Sequence, residues 1–428
     1  MIQERLAKLR ELMKDRGMDA YLVPTADFHE SEYVGDYFKC RSFLSGFTGS
    51  AGTLAVTMDE AVLWVDGRYF VQAGNQLQGS GISMMKMGEA GVPEPEDYLV
   101  DHVPEGGCLG FDGRVVNSFT GKKLERRLAR KKARIACEED LVDLIWTDRP
   151  ELLSEPVWIL KECYAGKSAR DKLCDLRAAM EKEGATIHLL TTLDDIVWLF
   201  NIRGNDIPCN PVVLSYAAIT LDDAYLFISP ESVNDEVRRY LEDLGVKLRP
   251  YFDIYPYVKC LRDEHVLLEK ERVNYAIVRN IDTSNQMISR LNPTVTAKAI
   301  KNPVEIENMK KAHIKDGVLM ARFMYWLKKN IGKIPMDELS VQEKLDGMRM
   351  EAEGNLGMSF DTISAYGPHA AMCHYSATKE SNIPLEEKGF YLVDSGGQYL
   401  EGTTDITRTI AVGPLTKEEK EHYTLVLI

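Results

Sequence analysis

The 428-residue sequence predicts a protein of mixed α/β and α+β class with several domains, and three observations support this prediction. Amphipathic helices alternate with short apolar strands up to about residue 300. This organisation occurs twice within those residues. A long helical pattern then leads into a region rich in predicted strands. Because the chain exceeds the usual size of one domain, we expect domains at residues 1–150, 151–300 and 301–428.

The first domain is predicted from a helix, a strand and a hairpin in succession. Residues 2–16 show apolar side chains at helical spacing, and Gly17 is the expected end of this helix. An apolar strand over residues 19–23 follows. Residues 54–57 and 61–65 predict the two strands of a hairpin, because two short apolar runs flank a polar turn. This order of elements is typical of an α/β domain.

The second domain is predicted because the same order returns. Residues 169–183 form an amphipathic pattern that Gly184 ends, and a strand is expected over residues 186–190. A strand pair over residues 212–216 and 224–228 then corresponds to the hairpin of the first domain. The match between the two copies is short, and it indicates a duplication.

The third domain is predicted to begin after a proline-containing stretch at residues 291–303. A helix of more than 20 residues is expected from Val304. The sequence Ser340-Val-Gln-Glu343 has the form of a capping box, which predicts the start of another helix. Strands are expected over residues 358–366 and, as a short piece, over 372–375.

The last predicted hairpin carries one carboxylate on each strand. Its strands cover residues 390–393 and 406–412, and Asp394 and Asp405 occupy positions where a strand normally has an aliphatic residue. A carboxylate that faces a core is costly unless it is paired or binds a metal. On adjacent strands the two can converge, and hard divalent cations prefer such oxygen ligands. Capping of turns beside the neighbouring glycines is the alternative.

Composition excludes several functional classes. With 52 basic and 66 acidic residues, the net charge of −14 argues against nucleic acid or an anionic membrane as a partner. The basic stretch at residues 122–134 is interrupted by apolar residues at helical spacing, which is typical of a solvated helix face. The eight scattered cysteines form no Cys-x-x-Cys pair. No signal peptide or membrane span is predicted, so we expect a cytoplasmic protein.

Several motifs together resemble the long, three-domain Xaa-Pro aminopeptidases (aminopeptidase P) of the creatinase/methionine aminopeptidase or "pita-bread" superfamily. The resemblance covers most of the chain, and the motifs occur in the family's order. They are Leu44-Ser-Gly-Phe-Thr-Gly-Ser-Ala-Gly52, Leu63-Trp-Val-Asp-Gly-Arg-Tyr-Phe70, the stretch 193–207, Glu305-Ile-Glu-Asn-Met309 with Ala312-His313, Ser359-Phe-Asp-Thr-Ile363, Gly367-Pro368 with His374-Tyr375, Asp394-Ser-Gly396, and Gly402-Thr-Thr-Asp405-Ile-Thr-Arg408.

The resemblance implies two creatinase-like N-terminal α/β domains followed by a pita-bread metallopeptidase domain. Members of the family remove the N-terminal residue of peptides that have proline at the second position. They use two divalent metal ions, manganese in most members, held by two Asp, one His and two Glu. Asp394 and Asp405 match the two Asp ligands, with Asp405 as the bridging one. His374 matches an active-site histidine that is not a ligand; packing between Cys373 and Tyr375 is its structural alternative.

The remaining family ligands, a His and two Glu, fall beyond residue 428. We therefore expect the pita-bread domain of this chain to be incomplete, the chain as given to bind metal weakly, and its hydrolytic activity to be absent. Apolar surface is expected where further strands would pack. The region through which long-form members form homodimers is also expected to lie downstream.

Two other functions fit parts of the pattern. A non-catalytic pita-bread module that binds peptides or proteins would suit a chain with three ligands missing, although the retained Asp394, Asp405 and His374 argue against it. A proline dipeptidase-like hydrolase is disfavoured because such enzymes typically have one N-terminal domain. Creatinase lacks the metal ligands, and the two Asp disfavour it.

Overall fold

The computed structural model describes all residues from 1 to 428, and the chain divides into two compact units. The first comprises Met1–Ile159, Lys167–Pro208 and Val212–Ile300. The second consists of Lys301–Ile428 together with two short earlier segments, Leu160–Gly166 and Cys209–Pro211. No helix is long and apolar enough to cross a membrane.

The first half of unit 1 is a six-stranded sheet with helices on both faces. Its helices are α1 Ile2–Asp15, α2 Cys40–Ser45, α3 Phe70–Gln76, α4 Pro95–His102 and α5 Ser118–Ala129. Its strands are β1 Ala20–Pro24, β2 Thr53–Thr57, β3 Ala61–Val65, β4 Ser83–Lys86, β5 Cys108–Gly110 and β6 Arg134–Ala136. They lie in the order β4-β3-β2-β1-β5-β6.

Alternation of side chains along β1 explains why this sheet is covered on both faces. Tyr21 and Val23 belong to one buried core together with Leu9 of α1, whereas Leu22 packs with Leu124 of α5 in another. Successive strand residues point to opposite faces, so an uninterrupted apolar run needs cover on both sides. The basic stretch on α5 is paired with acids, for example Arg127 with Asp97 at 2.6 Å, as expected for a solvated face.

The second half of unit 1 contains the corresponding elements. The helices of residues 151–300 are α6 Glu162–Ala165, α7 Ala169–Glu183, α8 Leu193–Phe200, α9 Asp235–Asp243, α10 Ile254–Lys259, α11 Tyr275–Asn280 and α12 Pro293–Ala299; α6 belongs to unit 2. The strands are β7 Trp158–Ile159, β8 Ile187–Leu190, β9 Ile202–Arg203, β10 Ser215–Thr220, β11 Ala224–Ile228, β12 Val246–Arg249, β13 His265–Leu268 and β14 Gln286–Ser289.

The two halves of unit 1 share one topology. The second large sheet has the order β12-β11-β10-β8-β13-β14, which is the first order element for element. In each sheet three neighbouring strands, β3-β2-β1 in the first and β11-β10-β8 in the second, are antiparallel, and the strands outside them pair in parallel. The identical sequence of parallel and antiparallel pairs supports the duplication expected from the sequence.

The carboxyl of Glu30 is expected to make the stability of unit 1 depend on pH. It lines a cavity of about 200 Å³ between α4 and α5, and burial raises its pKa to about 7. When folding raises the pKa of a carboxyl, its contribution to stability is fully present below its ordinary pKa. That contribution is lost as the pH rises from the ordinary pKa towards the folded-state pKa, which is about 7 here. Glu30→Gln should therefore increase the free energy of unfolding at pH 8, by about 2 kcal/mol relative to wild type, and have little effect at pH 4.

Urea unfolding at several pH values checks this prediction. The matched control is Glu32→Gln, because Glu32 is exposed two residues away. Equal stabilisation by both variants, or a gain from Glu30→Gln that does not change with pH, would contradict it.

Unit 2 is built on two long helices and two small sheets. Its helices are α13 Pro303–Asn330, α14 Glu338–Met350 and α15 Lys417–Leu427. Its strands are β15 Asn355–Met358, β16 Ile363–Tyr366, β17 Phe390–Ser395, β18 Gly397–Tyr399, β19 Gly402–Thr403 and β20 Ile406–Ala411. They form the sheets β15-β18-β19 and β16-β17-β20. One face of the second sheet, including Tyr391 and Val393, packs on α13 and α14.

Three predicted elements differ from the structure. The strand expected over residues 212–216 begins at Ser215, because the Asp206 carboxylate accepts a hydrogen bond from the Leu214 N–H at 2.7 Å and holds the preceding residues in a loop. The strand expected over 358–366 is two strands, interrupted between Met358 and Ile363. The piece expected over 372–375 is a turn.

The start of α14 also differs from the predicted capping box. Asp337 rather than Ser340 is the N-cap: its carboxylate accepts from the Ser340 N–H at 2.7 Å, and the Ser340 hydroxyl accepts from the Asp337 N–H at 2.9 Å. Aspartate and serine are both favoured at the N-cap position, and Asp337, the earlier of the two, occupies it. Glu338 thereby becomes the first residue of the helix.

Candidate active site

The register of β17 and β20 places the two predicted carboxylates on one face of the sheet. Asp394 is paired with Thr407, and Ser395 with Ile406. Asp405 comes two residues before Thr407, immediately ahead of the strand rather than within it as the sequence suggested. Since residues two apart in an extended chain share a face, Asp405 lies on the same side as Asp394. This face is opposite to the one that packs on α13 and α14.

The segment between β17 and β20, residues 396–405, is called the excursion here, and it fixes the distance between the carboxylates. The chain leaves β17, forms the β18–β19 hairpin of the other sheet and returns. At its base Gly396 lies against residue 404: a Cβ there would be 2.0 Å from the Thr404 carbonyl oxygen. The Ser359 hydroxyl donates to that oxygen at 2.8 Å, and the Gly397 N–H donates to the Thr404 hydroxyl at 2.9 Å. The backbone on either side of the two carboxylates is therefore held closely together.

The electrostatics of the pair favour a cation. The pKa of Asp405 is raised by partial burial of its carboxyl, by the charge of Asp394 and by a hydrogen bond to Asp394. One oxygen of Asp394, Oδ1, is buried and has no hydrogen-bond partner in the protein. Two carboxylates in contact disfavour each other's ionisation, and a hard divalent cation between them would remove that cost. The donor atoms thus fit a metal, although no group of three or more His, Cys, Asp or Glu side chains converges anywhere in residues 1–428.

His374 lies in the segment between β16 and β17, in a turn that leaves it exposed. This differs from the packed alternative, because its neighbour Tyr375 is buried whereas Cys373 is also exposed. Tyr375 packs against Ile363 and Ala365. Ile363 is the cross-strand partner of Asp394, so the segment that carries His374 covers the sheet face on which the two carboxylates lie.

A buried ion pair, which the sequence did not reveal, lies behind this sheet. Arg349 of α14 donates to Asp316 of α13 from Nε at 2.8 Å and from Nη2 at 3.2 Å, and both side chains are almost wholly buried. Arg349 Nη2 also donates to the hydroxyl of Ser395, the residue after Asp394, at 3.3 Å. The Tyr399 hydroxyl donates to Asp316 at 2.8 Å. This network joins both long helices to β17 and to the excursion.

Profiles of known families match nearly the whole chain. Two profiles of the creatinase/prolidase N-terminal domain match residues 5–144 and 148–305, and metallopeptidase family M24 matches residues 307–428. These matches and the fold therefore define a metallopeptidase class of protein with a duplicated N-terminal region, which confirms the predicted fold class. The domain boundaries at 150 and 300 stay a prediction.

Individual relatives narrow the class. The probable Xaa-Pro aminopeptidase P of Sordaria macrospora is 39% identical over 439 residues, covering 99% of this chain and 71% of that protein. The probable Xaa-Pro aminopeptidase P of Neurospora crassa is 38% identical over 439 residues, covering 99% of this chain and 64% of that protein. An X-prolyl aminopeptidase from Caenorhabditis elegans, described as a cytosolic enzyme with a di-nuclear active site, superposes with a TM-score of 0.95 at 35% identity, over 100% of this chain and 72% of that one. This chain belongs to the Xaa-Pro aminopeptidase P family, as its motifs predicted.

Proposed function

We propose that the protein is a metal-dependent aminopeptidase that hydrolyses the bond between an N-terminal residue and a following proline. The observation that carries this proposal is the placement of the Asp394 and Asp405 carboxyls on one face of the sheet, which the His374 segment covers. Family membership supports it, since the curated relatives carry that name. The chain spans between 64% and 71% of the length of these two relatives.

Asp394 and Asp405 are proposed to hold two divalent cations, and we expect both cations to be Mn²⁺. Carboxylates suit this role because each offers two oxygens and can contact two cations. The buried, unpartnered Oδ1 of Asp394 is a donor atom that the protein itself does not use. When bound, such a metal pair supplies a nucleophile at neutral pH and stabilises the charge that develops on the scissile carbonyl.

His374 is proposed to act on the substrate. Its exposed ring is able to donate a hydrogen bond to the carbonyl oxygen of the scissile bond, or to pass a proton to the proline nitrogen as that bond breaks. The proline nitrogen must gain a proton to leave as an amine, as in any amide hydrolysis. We further propose a cytoplasmic location, supported by the C. elegans neighbour, and a homodimeric assembly.

A substrate comparison tests this function on the protein as its gene encodes it, purified with Mn²⁺. Release of alanine is measured from Ala-Pro-Phe, from Ala-Ala-Phe and from the dipeptide Ala-Pro. The proposal expects rapid release from Ala-Pro-Phe and little from Ala-Ala-Phe. Hydrolysis confined to the dipeptide would identify a proline dipeptidase. Binding of Ala-Pro-Phe with no hydrolysis at any Mn²⁺ concentration would instead support a peptide-binding module.

A further inference from the structure

The segment that carries His374 has little regular structure of its own. After the short 3-10 turn Gly367–Ala371, no helix or strand occurs until β17 begins at Phe390. Few backbone hydrogen bonds link its residues to one another. Its conformation must therefore be set by contacts with neighbouring elements, since a chain without a hydrogen-bond ladder is otherwise mobile.

One carboxylate supplies most of these contacts. Glu338, the first residue of α14, is fully buried, and four donors, one at the end of β16 and three along the segment, point at its side chain. They are the Tyr366 N–H at 2.8 Å, His369 Nδ1 at 3.0 Å from both oxygens, the Tyr375 hydroxyl at 2.8 Å and the Ile383 N–H at 3.3 Å. A buried carboxylate is strongly unfavourable without such partners, so this one and its four donors stabilise each other.

The backbone of Glu338 holds the same segment at its two ends. Its carbonyl accepts from the Ser364 hydroxyl at 2.6 Å, in the strand that precedes the segment. Its N–H donates to the Ile383 carbonyl at 3.2 Å, near the end of the segment. A single residue thus contacts the start, the middle and the end of the loop.

We propose that Glu338 is a positioning residue for the candidate active-site His374, acting through Tyr375; this inference rests on the proposed function. Tyr375 follows His374 directly. Its hydroxyl donates to Glu338 and also lies 3.1 Å from the Ser381 hydroxyl, and its ring stacks on His369 with centroids 4.5 Å apart. The ring also packs on the sheet face that carries Asp394. Holding Tyr375 in this way fixes the backbone from which the His374 ring projects. Small displacements of catalytic groups reduce rates strongly.

Tyr375→Phe tests the link with the smallest change, because it removes only the hydroxyl. We expect kcat for Ala-Pro-Phe to fall about tenfold or more with KM changed little, because a displaced His374 would slow the chemical step rather than weaken binding. Tyr98→Phe is the matched control, since the Tyr98 hydroxyl also donates to a glutamate, Glu60, at 3.0 Å, but in unit 1. It should leave kcat unchanged.

A double-substitution cycle separates positioning from general stability. Glu338→Gln and Tyr375→Phe break the same hydrogen bond, so their effects on kcat should be far from additive. Effects that add, or a Tyr375→Phe enzyme with wild-type kcat, would overturn the proposal while leaving the proposed function intact.

An NMR measurement keeps the two proposals distinguishable. In the metal-free 428-residue chain with labelled histidine rings, the His374 signal is assigned by its loss in His374→Asn. We expect that signal to shift or broaden in Tyr375→Phe and to remain in place in Tyr98→Phe. If the wild-type enzyme hydrolyses no Xaa-Pro peptide, the proposed function is refuted, and the His374 signal alone then tests the positioning role. An unchanged His374 signal in Tyr375→Phe refutes positioning by Glu338.

Discussion

In the protein as its gene encodes it, Asp394→Asn is expected to reduce the hydrolysis of Ala-Pro-Phe by about a hundredfold or more. The amide keeps the shape of the side chain but loses the charge that holds a divalent cation and one of its two oxygen donors. Metal ions contribute several kcal/mol to hydrolysis, and each 1.36 kcal/mol is a factor of ten in rate. Steady-state kinetics with saturating Mn²⁺ measure the loss. Asp405→Asn should act similarly, because its carboxyl lies on the same sheet face and is proposed to hold the same metal pair.

Asp361→Asn is a suitable control for these variants, since Asp361 is an exposed aspartate of unit 2 outside the β17–β20 pair. It should retain most of the activity. Direct measurement of Mn²⁺ binding by calorimetry should show that Asp394→Asn and Asp405→Asn weaken binding in parallel with activity. Full activity of either variant at ordinary Mn²⁺ concentrations would show that these carboxylates do not hold the metal.

Breaking the buried ion pair is expected to give the largest change in stability. Asp316→Asn removes the charge that compensates Arg349, whose guanidinium is wholly buried. Removing one partner of a buried pair typically costs about 3–5 kcal/mol, because the other charge is left without compensation. Tyr399 would also lose its charged acceptor. Urea unfolding, followed by the fluorescence of Trp326 in a chain whose other four tryptophans are replaced by phenylalanine, measures the free energy of unfolding of unit 2.

Glu307→Gln is the matched control, because it breaks the exposed pair with Lys310 on the same helix, α13. Water and salt screen an exposed pair of this kind, so breaking it should change the free energy of unfolding very little. The double variant Asp316→Leu with Arg349→Met should recover much of the lost stability, since apolar residues can replace a buried pair without a charge penalty. A loss from Asp316→Asn no larger than that from Glu307→Gln would refute this account.

Local patterns predicted much of the fold. The helix expected over residues 169–183 is found with the same bounds, because Ser168 caps its start and Gly184 adopts the left-handed conformation at its end. Asp394 stood out because aspartate is unfavourable in a strand. Such signals are carried by the chemistry of a few neighbouring residues, and a single sequence contains them.

Glu338 and the Arg349–Asp316 pair gave no comparable signal. A glutamate in the first turn of a helix is typical of a solvent-exposed helix start, where it interacts with the helix dipole. Asp316 and Arg349 lie on two different helices, and nothing near either residue indicates that the other covers it. Their burial is a property of the packed helices and sheet. Sequence reasoning therefore found the groups proposed to bind metal and missed those that support them.

The excursion through β18 and β19 has an evolutionary consequence. Asp405 follows Asp394 by eleven positions, and this interval is set by the length of the detour through β18 and β19. The placement of the two carboxyls is set instead by the strand register and by the close approach at Gly396. Insertions at the half-buried turn around Leu400 and Glu401 would lengthen the detour at the expense of contacts such as the Lys315–Glu401 ion pair, and they need not move either carboxyl. Distant homologues with another interval are therefore compatible with the same arrangement, and a search that requires a fixed interval would overlook them.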